Sequence, residues 1–367
     1  MSERDVVCLG VREPGATYTW SYVEGPPGPG EVRLETLYSG FSAGTELTFV
    51  KGTNPYLTSR WNGHAGLFEP GVAGQEFPVP FLGYMEVGRV LLSNADGYAP
   101  GDVVAGTWGH KSGHVANPDH DLLVPLPEDM DPLLGIFVGQ MGPIAANGVL
   151  HADVELAGTP VTTLGQGLRH RRVLVIGGGT VGVLSALFAR DAGADVLVAE
   201  PDAPRRERLS ALGLPATPLE GVAERVKARW HHAGGARGAD VVLQTRAHGE
   251  ALATALRALR PQGCVVDLAF YQGGLPEVRL GEEFHHNALA IRCAQIGRTP
   301  RGTEALWDRE RLAHETLALL ERHGEALREH LVTHVVPVAE ATGFIDRLAR
   351  ERLDFAQIVL DYTAARP

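Results

Sequence analysis

The strongest constraint on the fold lies in residues 173–200, "VLVIGGGTVGVLSALFARDAGADVLVAE". The apolar run before the glycines predicts a buried strand, and the apolar stretch after them predicts a helix that leads into a second strand. Gly177, Gly179 and Gly182 match the spacing G-x-G-x-x-G, which in this strand–turn–helix context indicates a dinucleotide-binding unit. Gly177 would permit the tight turn, Gly179 the approach of backbone N–H groups to a pyrophosphate, and Gly182 close packing of helix on strand.

The segments that follow continue this alternation and extend it to a fold class. "GADVVLQT", "EALATALRALRPQG" and "CVVDLAF" read as strand, helix and strand, which predicts a Rossmann-type, doubly wound parallel sheet. Residues before it form short apolar runs separated by Gly and Pro, which predict an irregular β domain. We therefore expect a catalytic β domain at 1–148, a nucleotide-binding domain at 149–298, and a segment at 299–367 whose last strand, "AQIVLDY", returns to the first domain.

The residue that ends the second strand of the nucleotide unit, Glu200, predicts which cofactor binds. A carboxylate here accepts hydrogen bonds from the adenosine ribose and repels a 2′-phosphate, so NAD is favoured over NADP. Arg205 and Arg206 follow closely, and they leave NADP as the alternative. The complete set of predicted cofactor contacts is Gly177, Gly179, Thr180, Val181, Gly182, Glu200, Arg205, Thr245, Leu268 and Phe270.

Composition excludes several classes of partner. The chain has 367 residues and a net charge of −11, so association with nucleic acid or an anionic membrane is not expected. The start, "MSERDVVCLG", has no apolar signal segment, and three isolated cysteines are typical of a reduced, cytoplasmic protein. They also exclude a zinc lobe built from four cysteines. The expected partner is a small-molecule substrate.

Three segments resemble the medium-chain dehydrogenase/reductase superfamily, whose members join a GroES-like β domain to a Rossmann domain. They are "SAGTE" at 42–46, "GYMEVGRV" at 83–90 and "FVGQMGPIAANGV" at 137–149. "IGRTPRG" and "LVTHVVPV" further resemble the bacteriochlorophyllide a dehydrogenase-like group of zinc-type alcohol dehydrogenase relatives. The resemblance covers nearly the whole chain.

At each position where this superfamily carries a catalytic zinc ligand, the chain has a different residue. The first position falls at Ala43 or Ser42, the second at Tyr84, and the third at Gly139 or Gln140. None of these side chains supplies the imidazole or thiolate that zinc prefers. The resemblance therefore implies a zinc-free member, and we expect no metal ligands.

Without a metal, hydrogen-bond donors must stabilise the substrate oxygen while hydride is transferred. Thr45 stands where the resembled family has its proton-relay hydroxyl, and Tyr84 could donate to a carbonyl oxygen. Glu46 could orient either residue, and His110, which follows a predicted strand, could face the site. The expected reaction is NAD(P)-dependent interconversion of a secondary alcohol and its ketone. Reduction of an activated C=C bond by a quinone- or enoyl-type reductase, or cofactor binding without turnover, are the alternatives.

Two further expectations concern surfaces. The Gly/Pro-rich segment 51–80 reads as a loop over the active site or as a surface insertion without a role. The apolar segment "LAIRCAQIG" would be the exposed edge of the nucleotide-binding sheet in a monomer, and such edges are usually covered. Since superfamily members often pair this edge across a two-fold axis, we expect a homodimer.

Overall fold

The protein divides into two compact units. The computed structural model describes residues 2–351 and 353–363. One unit comprises the chain up to Gln140 together with the chain from Val332, and the other runs from Met141 to Leu331. The second unit is thus inserted into the first.

The first unit is built mainly from short antiparallel strands, as the Gly- and Pro-punctuated sequence predicts. Up to Gln140 it contains β1 (Arg4–Glu13), β2 (Ala16–Glu24), β3 (Val32–Phe41), α1 (Glu46–Val50), β4 (Ser59–Asn62), β5 (Leu67–Pro70), β6 (Glu86–Ser93), β7 (Val103–Gly106), β8 (Gly113–Ala116) and β9 (Val124–Pro125). Single 3₁₀ turns lie at Pro55–Leu57 and Pro132–Phe137. β1 pairs with β2, and β3 pairs with both β6 and β8.

The second unit alternates strands and helices around one parallel sheet. Its elements are α2 (Met141–Ala157), β10 (Arg172–Ile176), α3 (Thr180–Asp191), β11 (Asp195–Ala199), α4 (Ala203–Ala211), β12 (Ala216–Thr217), α5 (Val222–Arg229), β13 (Ala239–Gln244), α6 (Gly249–Ala258), β14 (Leu259–Asp267), β15 (Ala290–Cys293) and α7 (Arg309–His330). The strand order is β12–β11–β10–β13–β14–β15, and every neighbouring pair is parallel. Leu174, Val242 and Val265 on the central strands are fully buried, as expected for a sheet covered on both faces.

The last part of the chain completes the sheet of the first unit. It forms β16 (Val332–Pro337), α8 (Ala341–Arg350) and β17 (Gln357–Asp361). β17 is antiparallel to β3, with Val359 opposite Gly40, and parallel to β16. The sheet therefore runs β16–β17–β3–β6–β7–β9, with β8 also on β3. This is the return that the segment "AQIVLDY" predicts.

The boundaries between the units differ from the expected 148/149 and 298/299 because helix packing, which local pattern does not reveal, decides them. α2 packs on α3, and its Gly142 lies so close to α7 that a Cβ there would be 2.1 Å from Thr316 Cγ2. Both α2 and α7 consequently belong to the second unit. No helix in residues 2–351 and 353–363 is long and apolar enough to cross a membrane.

The segment 51–80 contains regular structure and is not a plain loop. β4 and β5 form an antiparallel hairpin in which Arg60 stands opposite Glu69 and forms an ion pair with it. Trp61 and Phe68 contact each other at 5.1 Å between ring centroids and stay about half exposed. In the second unit, β15 forms an edge of the parallel sheet, as expected.

Candidate functional site

The glycine turn joins β10 to α3, and two of its glycines are required by the chain itself. Gly177 has φ +111°, a region that side chains rarely adopt, and its N–H donates to the Ala199 carbonyl at 2.9 Å. A Cβ on Gly182 would lie 1.9 Å from the Gly177 carbonyl oxygen. The turn and the close helix–strand contact therefore explain these two residues without any ligand.

Gly179 is different, because nothing in the fold requires a glycine there. Its backbone is extended (φ −81°, ψ −177°), and a Cβ would meet no atom within 4 Å. It is the N-cap of α3 and provides no side-chain cap, while Thr180 and Val181 begin the helix and are partly exposed. A helix N-terminus beside open space is suited to an anion. A bound pyrophosphate would explain the glycine.

Glu200, at the end of β11, is tied to this turn. It is 1% exposed; its Oε2 accepts from the Gly178 N–H at 2.7 Å, and its Oε1 accepts from the Asp202 N–H at 2.9 Å. Each carboxylate oxygen has more than one lone pair, so ribose hydroxyls could still donate to it. Arg206 donates to the Glu200 and Pro201 carbonyls, at 2.8 and 2.7 Å. Arg205 is partly exposed and donates its backbone N–H to Asp202 Oδ1.

Three predicted cofactor contacts follow the ends of β13, which neighbours β10 in the sheet, and of β14, the next strand along. Thr245 donates through Oγ1 to the Ile176 carbonyl at 2.9 Å and lines the glycine turn. Leu268 donates its N–H to the Gln244 carbonyl, and its side chain packs against Gly148 of α2. Phe270 follows and is 38% exposed.

Sequence reasoning missed a polar network at this same edge of the sheet. Gln244 is fully buried, and its amide bonds both the N–H and the carbonyl of Arg246. It also donates to the Tyr271 hydroxyl at 3.1 Å, which donates to Asp267 Oδ2 at 2.9 Å. The sequence did contain a signal for this network, because the two neighbouring strands β13 and β14 both end in polar residues, Gln244 and Asp267.

In the first unit, Ser42 and Tyr84, which stand at two of the positions where the resemblance places zinc ligands, bond to each other. The Tyr84 hydroxyl donates to Ser42 Oγ at 2.5 Å. Burial and the Glu46 carboxylate raise the pKa of Tyr84 well above its usual range, while hydrogen bonds to Ser42 and Thr45 oppose that shift. Tyr84 and Thr45 both stay partly exposed. Tyr84 is therefore a neutral phenol that can meet a substrate.

These positions do not fit a zinc ion. Hydroxyl groups of Ser42 and Tyr84 are poor zinc ligands, and they already use each other as partners. At the third position a Cβ on Gly139 would lie 2.5 Å from the Gly106 carbonyl oxygen, so no ligating side chain fits there without backbone movement. Within the described part of the chain, no three His, Cys, Asp or Glu side chains are placed to hold a metal.

Glu46 and His110, both predicted as site residues, meet in the core. His110 Nε2 lies 2.6 Å from Glu46 Oε2, and Glu46 Oε1 accepts from the Ser42 N–H at 2.8 Å. Burial lowers the pKa of His110, but the Glu46 and Glu86 carboxylates raise it by more. His110 is 1% exposed, so it does not face the site in the way the sequence suggested. The segment after β7 is held in the core by backbone bonds, because the His110 N–H donates to the Leu82 carbonyl at 2.7 Å and the His110 carbonyl accepts from the Leu9 N–H at 3.0 Å.

Two members of this cluster, Ser39 and Glu86, were not predicted. Ser39 Oγ lies 2.9 Å from Glu86 Oε1 and 2.5 Å from His110 Nδ1, and both side chains are completely buried. Nothing in the local pattern marks them, since each sits in a strand among apolar residues. Gln357, on β17, is also buried and donates to the Phe41 and Ile358 carbonyls.

Comparison with known proteins adds the wider context. Residues 180–308 match the family model of the zinc-binding dehydrogenases, a range that excludes Ser42 and Tyr84. D-guloside 3-dehydrogenase of Escherichia coli (strain K12) is 26% identical over 318 residues, which are 85% of this chain and 87% of that protein.

Solved structures show the same fold. L-idonate 5-dehydrogenase from E. coli K-12 superposes with a TM-score of 0.73 at 14% identity, over 98% of this chain and 99% of the other. A zinc-binding dehydrogenase-like protein from Sinorhizobium meliloti 1021, bound to NADP, gives 0.69 at 16% identity, over 98% and 100% of the two chains. The predicted class, a GroES-like β domain with a Rossmann doubly wound parallel sheet, is confirmed.

Proposed function

We propose that this chain, a dehydrogenase of the medium-chain dehydrogenase/reductase type, transfers hydride between a nicotinamide cofactor and a secondary alcohol or its ketone without a catalytic zinc. The observation that carries the proposal is the hydrogen bond of Tyr84 to Ser42, which puts two hydroxyl groups where relatives of this type bind a metal. A neutral phenol is a hydrogen-bond donor suited to a developing alkoxide.

The cofactor is a nicotinamide dinucleotide, with NAD preferred to NADP. Gly179 leaves space at the N-terminus of α3 for the pyrophosphate. Glu200 is buried beside the same turn, and a 2′-phosphate there would meet its carboxylate. The guanidinium of Arg206 bonds backbone carbonyls, which reduces its availability to such a phosphate.

The names of similar proteins suggest the substrate class. D-guloside 3-dehydrogenase and L-idonate 5-dehydrogenase each act, by name, on one numbered position of a sugar-derived molecule. We infer that this chain oxidises one secondary hydroxyl of a polyhydroxylated compound. Reduction of an activated C=C bond, the alternative from the sequence, finds no specific support in the site.

When bound, the nicotinamide would accept or supply the hydride. The residues of the first unit donate or accept the proton at the substrate oxygen. In the direction of ketone reduction, the Tyr84 hydroxyl turns its one hydrogen from Ser42 Oγ to the carbonyl oxygen and gives it a proton as the alkoxide forms, while the Ser42 and Thr45 hydroxyls donate to the resulting phenolate. The Thr45 hydroxyl, a second hydrogen-bond partner of Tyr84 that is partly exposed, returns a proton from solvent. Oxidation follows the reverse path. Glu46 accepts a hydrogen bond from the Ser42 N–H, and His110 bonds Glu46. Glu46 and His110 therefore act as positioning residues for Ser42 and Tyr84.

The test is a turnover panel with the purified chain. Polyols, glycosides and simple secondary alcohols are offered with NAD⁺ or NADP⁺, and an enone and a quinone are offered with the reduced cofactors. We expect oxidation of a polyhydroxylated alcohol with NAD⁺. Turnover of the enone or quinone alone would contradict alcohol chemistry. Tight NADH binding without turnover of any substrate would instead indicate a non-catalytic cofactor-binding protein.

Tyr84→Phe is the matched variant for this panel. It removes only the hydroxyl, so NADH binding should be unchanged while turnover falls.

A further inference from the structure

The buried cluster behind the Tyr84 site is a connected set of four polar side chains. Ser39 lies on β3, Glu46 begins α1, Glu86 begins β6, and His110 follows β7. All four are at most 2% exposed. Burying ionisable groups is costly unless each is paired and hydrogen-bonded. A set assembled from four separate elements of one unit is therefore expected to do something that apolar residues would not.

The hydrogen bonds of this set link the charge of His110 to the charge of Glu86. The Ser39 hydroxyl has a single hydrogen, and it donates this to Glu86 Oε1 at 2.9 Å. With Glu86 ionised, the Ser39 hydrogen is used in that bond, so the 2.5 Å contact to His110 Nδ1 is a bond that Nδ1–H donates to Ser39 Oγ. On the other side, His110 Nε2 faces the Glu46 carboxylate, which only accepts. In that state both ring nitrogens carry hydrogen and His110 is an imidazolium. Burial raises the pKa of Glu86, and a protonated Glu86 would reverse the two Ser39 bonds and leave His110 neutral, so the charge of His110 depends on an ionised Glu86.

Glu86 is held as the outer acceptor of this set. Its Oε2 accepts from the Trp108 N–H at 2.8 Å, and backbone N–H groups of Met85 and Gly109 also bond it. The His110 ring further stacks on Phe41, with 6.0 Å between centroids and 20° between planes. Backbone groups next to β6 and after β7, together with the Phe41 ring, therefore fix the positions of Glu86 and His110.

This cluster contacts the Tyr84 site at two points. Glu46 Oε1 accepts from the N–H of Ser42, the residue whose hydroxyl binds Tyr84. Gly83, which precedes Tyr84, packs directly on the cluster. A Cβ there would be 2.7 Å from His110 Nδ1 and 2.8 Å from Glu86 Oε1. The contact through Ser42 is a backbone N–H, so it positions the pair and does not conduct a proton.

We propose that Ser39 and Glu86 are positioning residues that hold His110 as a cation, so that His110 fixes Glu46, and Glu46 fixes the Ser42–Tyr84 pair. The geometry of a metal site is replaced here by a buried ion cluster behind two hydroxyls. The proposal about charge stands alone, and its catalytic consequence rests on the proposed function.

Two measurements test it. Histidine-labelled NMR of the whole chain, with His110→Gln to assign the signal, should show hydrogen on both ring nitrogens of His110 at neutral pH. Ser39→Ala should alter that signal. A His110 ring with one hydrogen would overturn the proposal. This readout needs no turnover, so it can succeed even if the proposed reaction is wrong.

The second measurement is a double-mutant cycle on kcat for the best substrate of the panel. Ser39→Ala and Glu86→Gln should each lower kcat about tenfold or more, with KM and NADH binding little changed, the scale expected when a hydrogen bond to a charged group is lost. In the His110→Gln background, Ser39→Ala should cost nothing further, because the three act as one unit. Independent, additive losses would show a merely structural role and overturn the proposal.

The control for removing a buried serine hydroxyl is Ser185→Ala. Ser185 is fully buried in α3, and within the described residues its hydroxyl has no hydrogen-bond partner. It should leave the His110 signal and kcat unchanged. Melting curves of all variants confirm that each remains folded. Full activity of both Ser39→Ala and Glu86→Gln would contradict the proposal.

Discussion

Substitution of two glycines in the same turn should separate the role of a ligand from that of packing. In Gly179→Ala the new Cβ has no neighbour within 4 Å and the backbone is extended, so the fold can accept it. In Gly182→Ala the new Cβ would sit 1.9 Å from the Gly177 carbonyl oxygen, which forces α3 away from β10. The two variants add the same methyl group three residues apart.

The expected magnitudes follow from these surroundings. Gly179→Ala should change the free energy of unfolding by less than about 1 kcal/mol, as for other substitutions without a clash. If the pyrophosphate approaches this residue, the methyl group displaces it and loses hydrogen bonds to a charged group. Each such bond is worth about 1.5–3 kcal/mol, or roughly 10- to 150-fold in Kd. Gly182→Ala should lower the free energy of unfolding by about 1–3 kcal/mol or more through overpacking.

Chemical denaturation gives the stabilities, and calorimetric titration with NADH gives the affinities. Gly179→Ala is expected to unfold like the parent and bind NADH poorly, whereas Gly182→Ala is expected to unfold more easily. Normal NADH affinity in Gly179→Ala would refute the assignment of this turn to the pyrophosphate. Strong destabilisation of Gly179→Ala would contradict the statement that a Cβ at residue 179 meets no neighbouring atom.

Four other predictions concern the chemistry and the assembly. Tyr84→Phe should lower turnover about 100-fold, the scale of one lost oxyanion donor, and Thr45→Val should act similarly; full activity of both would remove these residues from the mechanism. In a binding titration, Glu200→Ala should reduce the difference in binding free energy between NADH and NADPH by about 1–2 kcal/mol. Tighter binding of NADPH than of NADH by the parent protein would contradict the predicted preference for NAD. Metal analysis should find well under one zinc per chain and no effect of chelators on activity, because Ser42 and Tyr84 bond each other; stoichiometric zinc would refute this. Light scattering at micromolar concentration should show a homodimer, because β15 is a sheet edge, and a monomer would contradict that expectation.

The nucleotide-binding half could be predicted from the sequence because its signals are local. The glycine turn, the strand before it and the helix after it are contiguous, and Glu200 follows at the end of the next strand. Strand and helix periodicities differ enough that their alternation predicts a parallel sheet. The residues at the three expected zinc-ligand positions could be identified for the same reason, since each position lies in a recognisable short segment.

Other features depended on packing between distant segments. The assignment of α2 and α7 to the second unit follows from packing, because α2 contacts α3 and Gly142 of α2 closely approaches Thr316 of α7. The segment 51–80 contains a hairpin, although its Gly and Pro content suggested a loop.

For the candidate site, the sequence by itself determined which chemical groups are available: hydroxyls in place of zinc ligands, a glycine turn and a carboxylate after it. Tertiary structure decided which of them meet. Ser39 and His110 are separated by 71 residues, and Ser39 and Glu86 by 47, yet they share one buried cluster. His110 was expected to face the substrate and lies instead in the core between two carboxylates. The physical reason is that burial and hydrogen-bond pairing are set by strands brought together from across the chain, and local periodicity carries no record of those contacts.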